Sequence, residues 1–334
     1  MKKLTYLYML LLLSGVLANT GCKKLDDGFL SPIIRYEEDP IIIQRGRVKV
    51  SSALNFDGSS RPVTVKLLHV YNRVTGALMD SVFSKQYEIK GWTGLYDPKS
   101  DTTLELIGAK QKDMQVNPIV VNPVSGQLEA NFTTIYLPLG QYEFDLEISN
   151  AGGTKVYEKI GKFDLVDAKP YEAHPEIGTP YNRMIKVGDE NTGSNLLNPE
   201  VTIKRTADAP NKVVVRFMDK NGVTFNPKAN EIQRRPYPGN NPPQPFLQTM
   251  QDYSLATDLY DDRMEFSYGV VPFPLSSLGN GFNYYYRIPA NLFTHDNQTS
   301  FPDGTYSANP RFVFRAFVPG TYEVEFKLID LIKK

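Results

Sequence analysis

Among the side chains of this 334-residue chain that could carry chemistry, the scarce ones are a single thiol, Cys22, three histidines and one tryptophan. The histidines are His69, His174 and His295, and none has a partner four residues on or a neighbouring cysteine, so zinc-site spacing is missing. His69 sits in an apolar strand-like run, where cross-strand packing explains it, and His174 falls in a proline-rich stretch. His295, in "THDNQTS" beside Asp296, leaves a Ser-His-Asp arrangement open, but no G-x-S-x-G elbow accompanies it. Neither a G-x-x-x-x-G-K-[ST] nor a G-x-G-x-x-G run is present to cradle a phosphate. "DKNG" (219–222) starts like a calcium loop but lacks the downstream Glu, and a hairpin turn accounts for it. The adjacent carboxylates Glu37-Glu38 and Asp261-Asp262 would point to opposite faces of a strand. A glycosidase needs two carboxyls about 5–9 Å apart across a cleft, so neither pair makes one alone. The expectation is a protein that is not an enzyme, with no catalytic residue, metal or cofactor; a glycoside hydrolase is the alternative.

Aromatic residues are the stronger lead. Trp92 lies in "KGWTGLYDPKSD" (90–101) with Tyr96, among Gly, Asp and Lys. An aromatic on a loop can stack on the apolar face of a sugar while nearby polar groups bond its hydroxyls. Tyr237 and Tyr285, the latter within Tyr284-Tyr285-Tyr286, offer comparable rings. Trp92, Tyr96, Tyr237 and Tyr285 are therefore the candidate ligand contacts. The competing account places a lone Trp in a core or corner and alternates a Tyr run between core and solvent.

Cys22 stands apart from these. Met1-Lys2-Lys3 and the apolar run from Leu4 to Ala18 form the charged and greasy regions of a signal peptide, too short to span a bilayer at about 20 residues. The run ends Asn19-Thr20-Gly21-Cys22, which resembles the lipobox of bacterial lipoproteins, with Asn19 where Leu is usual. That resemblance implies removal of residues 1–21 and acylation of Cys22, a lasting anchor because two acyl chains hold where one does not. An ordinary signal peptide with an incidental cysteine is the plainer account. Asp26-Asp27 resembles the export tag of surface-exposed Bacteroidetes lipoproteins, against the alternative of a solvated tether. A single cysteine allows no internal disulfide. After cleavage the chain carries 35 basic and 37 acidic residues, a net charge of −2, with no basic stripe of the kind that marks nucleic-acid binding.

The elements that must position the aromatics are strands. Aromatics make up 12% of the chain, and Pro and Gly number 24 each, a mixture that punctuates many short strands. Strand-like runs are expected at 45–54, 61–72, 102–111, 118–122, 126–137, 141–149 and 154–166, then at 211–227, 263–271, 282–288, 311–318 and 321–331. One or two helical turns are expected within 76–89. Asn221-Gly222 reads as a type I′ hairpin turn. The proline-rich 168–183 reads as a linker, dividing a tether (22–43), an N-terminal domain (44–167) and a C-terminal domain (184–334). "LPLGQYEFDLEI" (137–148) echoes "FVPGTYEVEFKL" (317–328), and a Gly-x-Tyr turn feeding a strand resembles the tyrosine corner of immunoglobulin-like sandwiches. The expected fold is all-β: two tandem immunoglobulin-like sandwiches.

Residues 22–72, most clearly "IRYEEDPIIIQRGRV" (34–48), resemble a domain-of-unknown-function family of Bacteroidetes outer-membrane lipoproteins. The resemblance implies a component of glycan uptake, lipid-anchored in the outer membrane and exposed at the cell surface, beside TonB-dependent transporters. Its architecture would be similar to the accessory lipoproteins of starch-utilisation systems. Ser81 and Thr102, each after an Asp, resemble O-glycosylation acceptors of exported Bacteroidetes proteins. The expected partners are the membrane, a polysaccharide and a transporter complex. A structural or adhesion lipoprotein that contacts other proteins is the second reading.

Overall fold

Strands form wherever β-branched and aromatic residues alternate with polar ones, because every second side chain then faces one side. The computed structural model describes residues 28–173, 178–196, 199–238, 245–295 and 301–334. Cys22, the signal peptide, Asp26-Asp27 and His174 lie outside the described residues. No helix among the described residues is long and apolar enough to cross a membrane.

The first half holds β1 (Ile41–Gln44), β2 (Lys49–Val50), β3 (Thr64–Asn72), β4 (Tyr87–Trp92), β5 (Gln111–Val116), β6 (Ile119–Val121), β7 (Leu128–Ala130), β8 (Gly140–Asn150) and β9 (Gly153–Val166). One-turn α1 (Asp80–Phe83) precedes β4, and α2 (Leu104–Ala109) lies between β4 and β5. A sheet ordered β1-β9-β8-β3 faces a smaller one ordered β2-β7-β6. Ile43, Val65, Phe144 and Phe163 from the first sheet bury against Ile119 and Leu128 from the second. Among the described residues, strands β4 and β5 pair only with each other, as a separate ribbon.

The second half holds β10 (Tyr171–Ala173), β11 (Tyr181–Lys186), β12 (Gly193–Asn195), β13 (Glu200–Ala207), β14 (Lys212–Asp219), β15 (Gln233–Arg234), β16 (Ala256–Leu259) and β17 (Met264–Ser267). It continues with β18 (Asn283–Arg287), β19 (Phe293–His295), β20 (Tyr306–Ala316), β21 (Thr321–Leu328) and β22 (Leu331–Lys333). The sheet β12-β11-β20-β18-β15, with β10 also on β20, packs over β13-β21-β14-β17-β16. Met184, Tyr284, Phe312 and Phe314 meet Val215, Phe217, Tyr322 and Phe326 in the shared core. The chain is thus an all-β pair of sandwiches.

The sequence echo is a repeated corner. The Tyr142 hydroxyl donates to the Pro138 carbonyl at 2.9 Å, and the Tyr322 hydroxyl to the Val318 carbonyl at 2.7 Å, each four residues upstream. Both rings are buried. Each corner ties the turn that feeds a core strand to that strand's first inward ring.

Several expectations need correction. The tether does not run to residue 43: Ile34 and Tyr36 are core residues, and Ile41 and Ile43 are fully buried because β1 adds to β9 in parallel. The supposed linker is not a free connector. Tyr171–Ala173 pairs with β20, and Tyr181 onward forms β11, which pairs with β20 as well. Within 102–111, Thr103 caps a helix by accepting the Leu106 N–H on its side chain, so the local cap overrides strand character. Of 45–54 only Lys49–Val50 is strand, and in 126–137 the strand stops at Ala130, where Asn131 caps a 3-10 turn over Phe132–Tyr136. At 219–222 only Gly222 takes a positive φ, and its N–H bonds the Asp219 carbonyl at 3.1 Å. That is a turn closed by a left-handed glycine rather than a type I′ turn, which needs positive φ at both central residues. The Asp219 carboxylate accepts the N–H groups of Asn221, Val223 and Lys333, a backbone tie in place of a calcium ligand.

The halves touch. Ile107 of α2 is buried and packs toward Gly269. Arg47 pairs with Glu172 at 3.2 Å and covers the Phe317 ring, while Tyr136 bonds Asp208 at 3.1 Å.

Candidate functional site

Trp92 closes the β4 side of the ribbon, opposite Gln111, and is 42% exposed. It is a strand-end residue, where the sequence suggested a loop. Beyond it the chain folds back through a turn held by one carboxylate. Asp101 accepts the Asp97 N–H at 2.7 Å and the Lys110 ammonium at 2.8 Å, and the same ammonium reaches the Leu95 carbonyl at 3.0 Å. The backbone N–H of Asp97, followed by Lys110, holds the Asp101 carboxyl below its usual range. This clamp brings the Tyr96 ring to 5.6 Å from Trp92, tilted by 47°. Partial burial, then the charges of Asp101 and Asp97, push the Tyr96 hydroxyl upward.

Tyr96 also lines a cavity of about 420 Å³ between the halves. Asp101, Thr102 and Ile107 share its first wall, and Tyr253, Phe273 and Leu275 belong to the opposite one. Phe273 is fixed by stacking on Tyr268 at 4.6 Å, and Tyr253 by the Leu278 N–H that its hydroxyl accepts at 3.2 Å. The cavity is therefore aromatic and apolar with a few polar groups, the composition of a small-ligand site. Asp101 and Asp252 both line it, but Lys110 holds the first and Arg234, at 2.8 Å, the second. A glycosidase acid needs its pKa raised; Asp101 is shifted the other way.

Of the four candidate ligand contacts, the structure assembles Trp92 and Tyr96. Tyr237 is also 42% exposed but belongs to the rim of the second sandwich, where its N–H bonds the Pro245 carbonyl at 3.0 Å. Near it, Arg234 covers the exposed Phe246 ring, and both line a second cavity of about 410 Å³. Tyr285 is only 8% exposed and presents no open ring; its hydroxyl accepts from Asn280 at 2.8 Å. Ser81 is exposed in α1, and Thr102 is exposed just before the cap of α2.

The histidines resolve differently from expectation. A bulge between Leu67 and Val70 turns His69 outward, where Nδ1 lies 2.7 Å from Asp80. His295 sits on β19 between Phe293 and Phe301, and burial pushes its pKa down. Asp296 lies outside the described residues. No cluster of three His, Cys, Asp or Glu that could hold a metal occurs among the described residues.

Tyr253 and Phe273 carried no signal in the sequence, because nothing local says that the 93–110 segment folds onto 252–278. Only the three-dimensional path brings them together.

No family model matches the chain, and no curated protein does. Among solved structures it is similar to a SusE-like surface-located polysaccharide-binding protein from the Bacteroides thetaiotaomicron heparin utilisation locus. The likeness has 9% identity and a TM-score of 0.25, and covers 88% of this chain and 53% of that one. It is also similar to the N-terminal four Ig domains of Dscam1 isoform 4.44, at 10% identity and a TM-score of 0.19 over 89% of this chain and 54% of that one. A third likeness, at 9% identity and a TM-score of 0.20, is to an endo-fucoidan hydrolase of glycoside hydrolase family 107, over 91% of this chain and 30% of that one. The chain thus spans about half the length of the first two. Likenesses this slight identify no function.

Proposed function

We propose that this chain is a non-enzymatic glycan-binding protein, anchored through acylated Cys22 at a bacterial outer surface and accessory to nutrient uptake beside a transporter. The observation that carries the reading is the Trp92–Tyr96 pair at the end of the ribbon, Trp92 exposed and Tyr96 half-buried, with Tyr96 leading into the cavity between the sandwiches. Two tilted rings fit a bent sugar chain better than a flat ligand, and the Asp101–Lys110 clamp pre-orders them, lowering the entropy cost of binding. Thr102 and Ser254 at the cavity can bond sugar hydroxyls. Both cavity carboxylates are paired with cations, which supports a binding role over a general-acid one.

The test is affinity electrophoresis of the chain without its first 22 residues, through gels that each contain one soluble polysaccharide: starch, xylan, mannan or laminarin. At least one should retard the protein, and Trp92→Ala should restore most of the mobility. If none retards it, or if Trp92→Ala is retarded equally, the reading fails. For the anchor, Cys22→Ala in the full chain should abolish palmitate labelling and release the protein from membranes. Labelling that persists would contradict it.

A further inference from the structure

The outer face of the β12-β11-β20-β18-β15 sheet carries a pattern that the ribbon site does not use. Strand register sets Tyr181, Arg311 and Tyr285 side by side across β11, β20 and β18. Arg235, one residue past β15, extends that row, with its guanidinium 5.9 Å from the Tyr285 ring. Arg311 in turn lies 5.0 Å over the Tyr181 ring. The next row reads Asn195, Arg183, Asn309, Arg287 and Gln233. Arg315 stands four residues beyond Arg311 on β20, about 13 Å away, over the Phe282 ring at 4.5 Å.

Charge on this face is unbalanced. Among the described residues, the carboxylates that register or bonding puts there are Glu190 and Glu172, and Glu172 stands directly opposite Arg315. Arg287 holds Glu190 through both oxygens at 2.7 and 2.6 Å, and Arg47 holds Glu172. Among the described residues, Arg183, Arg311 and Arg315 bond only neutral oxygens: the Gly193 carbonyl, the Asn283 amide, and the Pro274 and Leu275 carbonyls. Arg235 is 5% exposed, and its Nε has no hydrogen-bond partner. Burial is the main influence weakening its charge, opposed by the Tyr181 hydroxyl and by Glu190 and reinforced by the neighbouring Arg287. Arg183 and Arg311 gain most from an arriving anion, because neutral oxygens leave their charge uncompensated, while Arg315, opposite Glu172, stands at the edge of the row.

We infer that this face binds an acidic polysaccharide, its sulfate or carboxylate groups taken by Arg183, Arg311 and Arg315 and its sugars by the Tyr181 ring and the amides of Asn195 and Asn283. A polymer with repeating charges matches guanidinium groups spread over two rows. Interleaved rings and amides suit sugars better than an acidic protein, which would want an apolar anchor; Ile185 and Val313 on this face are buried. The proposal does not rest on the Trp92 reading, although Arg315 bonds the carbonyl of Leu275, a wall residue of the ribbon cavity.

The experiment titrates the chain without its first 22 residues with dextran sulfate, polygalacturonate, uncharged dextran and poly-glutamate, by interferometry at low and physiological salt. Dextran sulfate or polygalacturonate should bind at least tenfold tighter than dextran and poly-glutamate, and the better of the two assigns sulfate or carboxylate. Arg183→Gln with Arg311→Gln should weaken that binding at least tenfold, Arg311→Lys about threefold, and Lys66→Gln on the exposed side of β3 less than twofold. Trp92→Ala should leave it unchanged, which separates this proposal from the ribbon site. Circular dichroism checks the fold; if the double variant unfolds, Arg183→Gln alone should still cost about threefold. Polyanions that bind no better than dextran would overturn the proposal. So would a double variant that binds as Lys66→Gln does, and poly-glutamate binding as tightly as the polysaccharides would assign the face to acidic proteins instead.

Discussion

The two sandwiches turn the same tyrosine corner and then differ in what they do with their remaining surface. The first, behind Tyr142, keeps a modest pair of sheets and extends a ribbon whose end exposes Trp92 and Leu95. The second, behind Tyr322, has broader sheets, a core dense in aromatic rings, and an outer face of arginines between tyrosines. The corner belongs to the fold, since a buried hydroxyl must bond something. The surfaces answer to no such demand and can diverge.

The largest expected difference between the halves appears at alkaline pH. Burial raises Tyr268, Tyr284, Tyr286 and Tyr322 far above the ordinary phenol value, whereas Tyr36 alone is raised as far in the first sandwich. A raised folded pKa means that the unfolded chain releases these protons first, near pH 10. Stability is full below that pH and falls as pH rises toward the folded values, by about 1.4 kcal/mol per pH unit for each such tyrosine. Circular dichroism with limited proteolysis should show the second sandwich opening first above pH 10. Equal loss in both would remove the contrast.

Cavity variants come next. Phe144→Ala and Phe312→Ala, each in its own core, should each cost about 3–5 kcal/mol in urea denaturation. If each shifts only its own half, the sandwiches fold independently; a single shared transition would make them one unit. Ile107→Ala should loosen the ribbon's seat on Gly269 by about 2 kcal/mol, read as faster hydrogen exchange across 93–110 with both cores unchanged. The corners differ less. Tyr322 lies within 3.1 Å of the Pro170 carbonyl as well as bonding Val318, so Tyr322→Phe should cost about 1–2 kcal/mol and Tyr142→Phe about 1 kcal/mol in thermal melts.

Strand alternation and the Pro-Gly-Tyr echo made the sandwich class and both corners legible before any coordinates, because each depends on residues close in sequence. The α2 cap was legible in principle at Thr103, but strand-forming neighbours masked it. Tyr285 shows where local reading ends. Its place in a Tyr run left its exposure open, and pairing with β20 buried it. The arginine rows were invisible for the same reason. Net charge is near zero and no basic stripe exists in the chain, yet register gathers Arg183, Arg235, Arg287 and Arg311 from four separate segments.

Trp92, as the one tryptophan, makes its own emission the direct probe of the ribbon site. Titrating the polysaccharide that retards the protein into the wild-type chain should change that emission saturably, with the midpoint that calorimetry gives for binding. Emission that stays constant while calorimetry shows the glycan bound would place the sugar elsewhere and contradict the account.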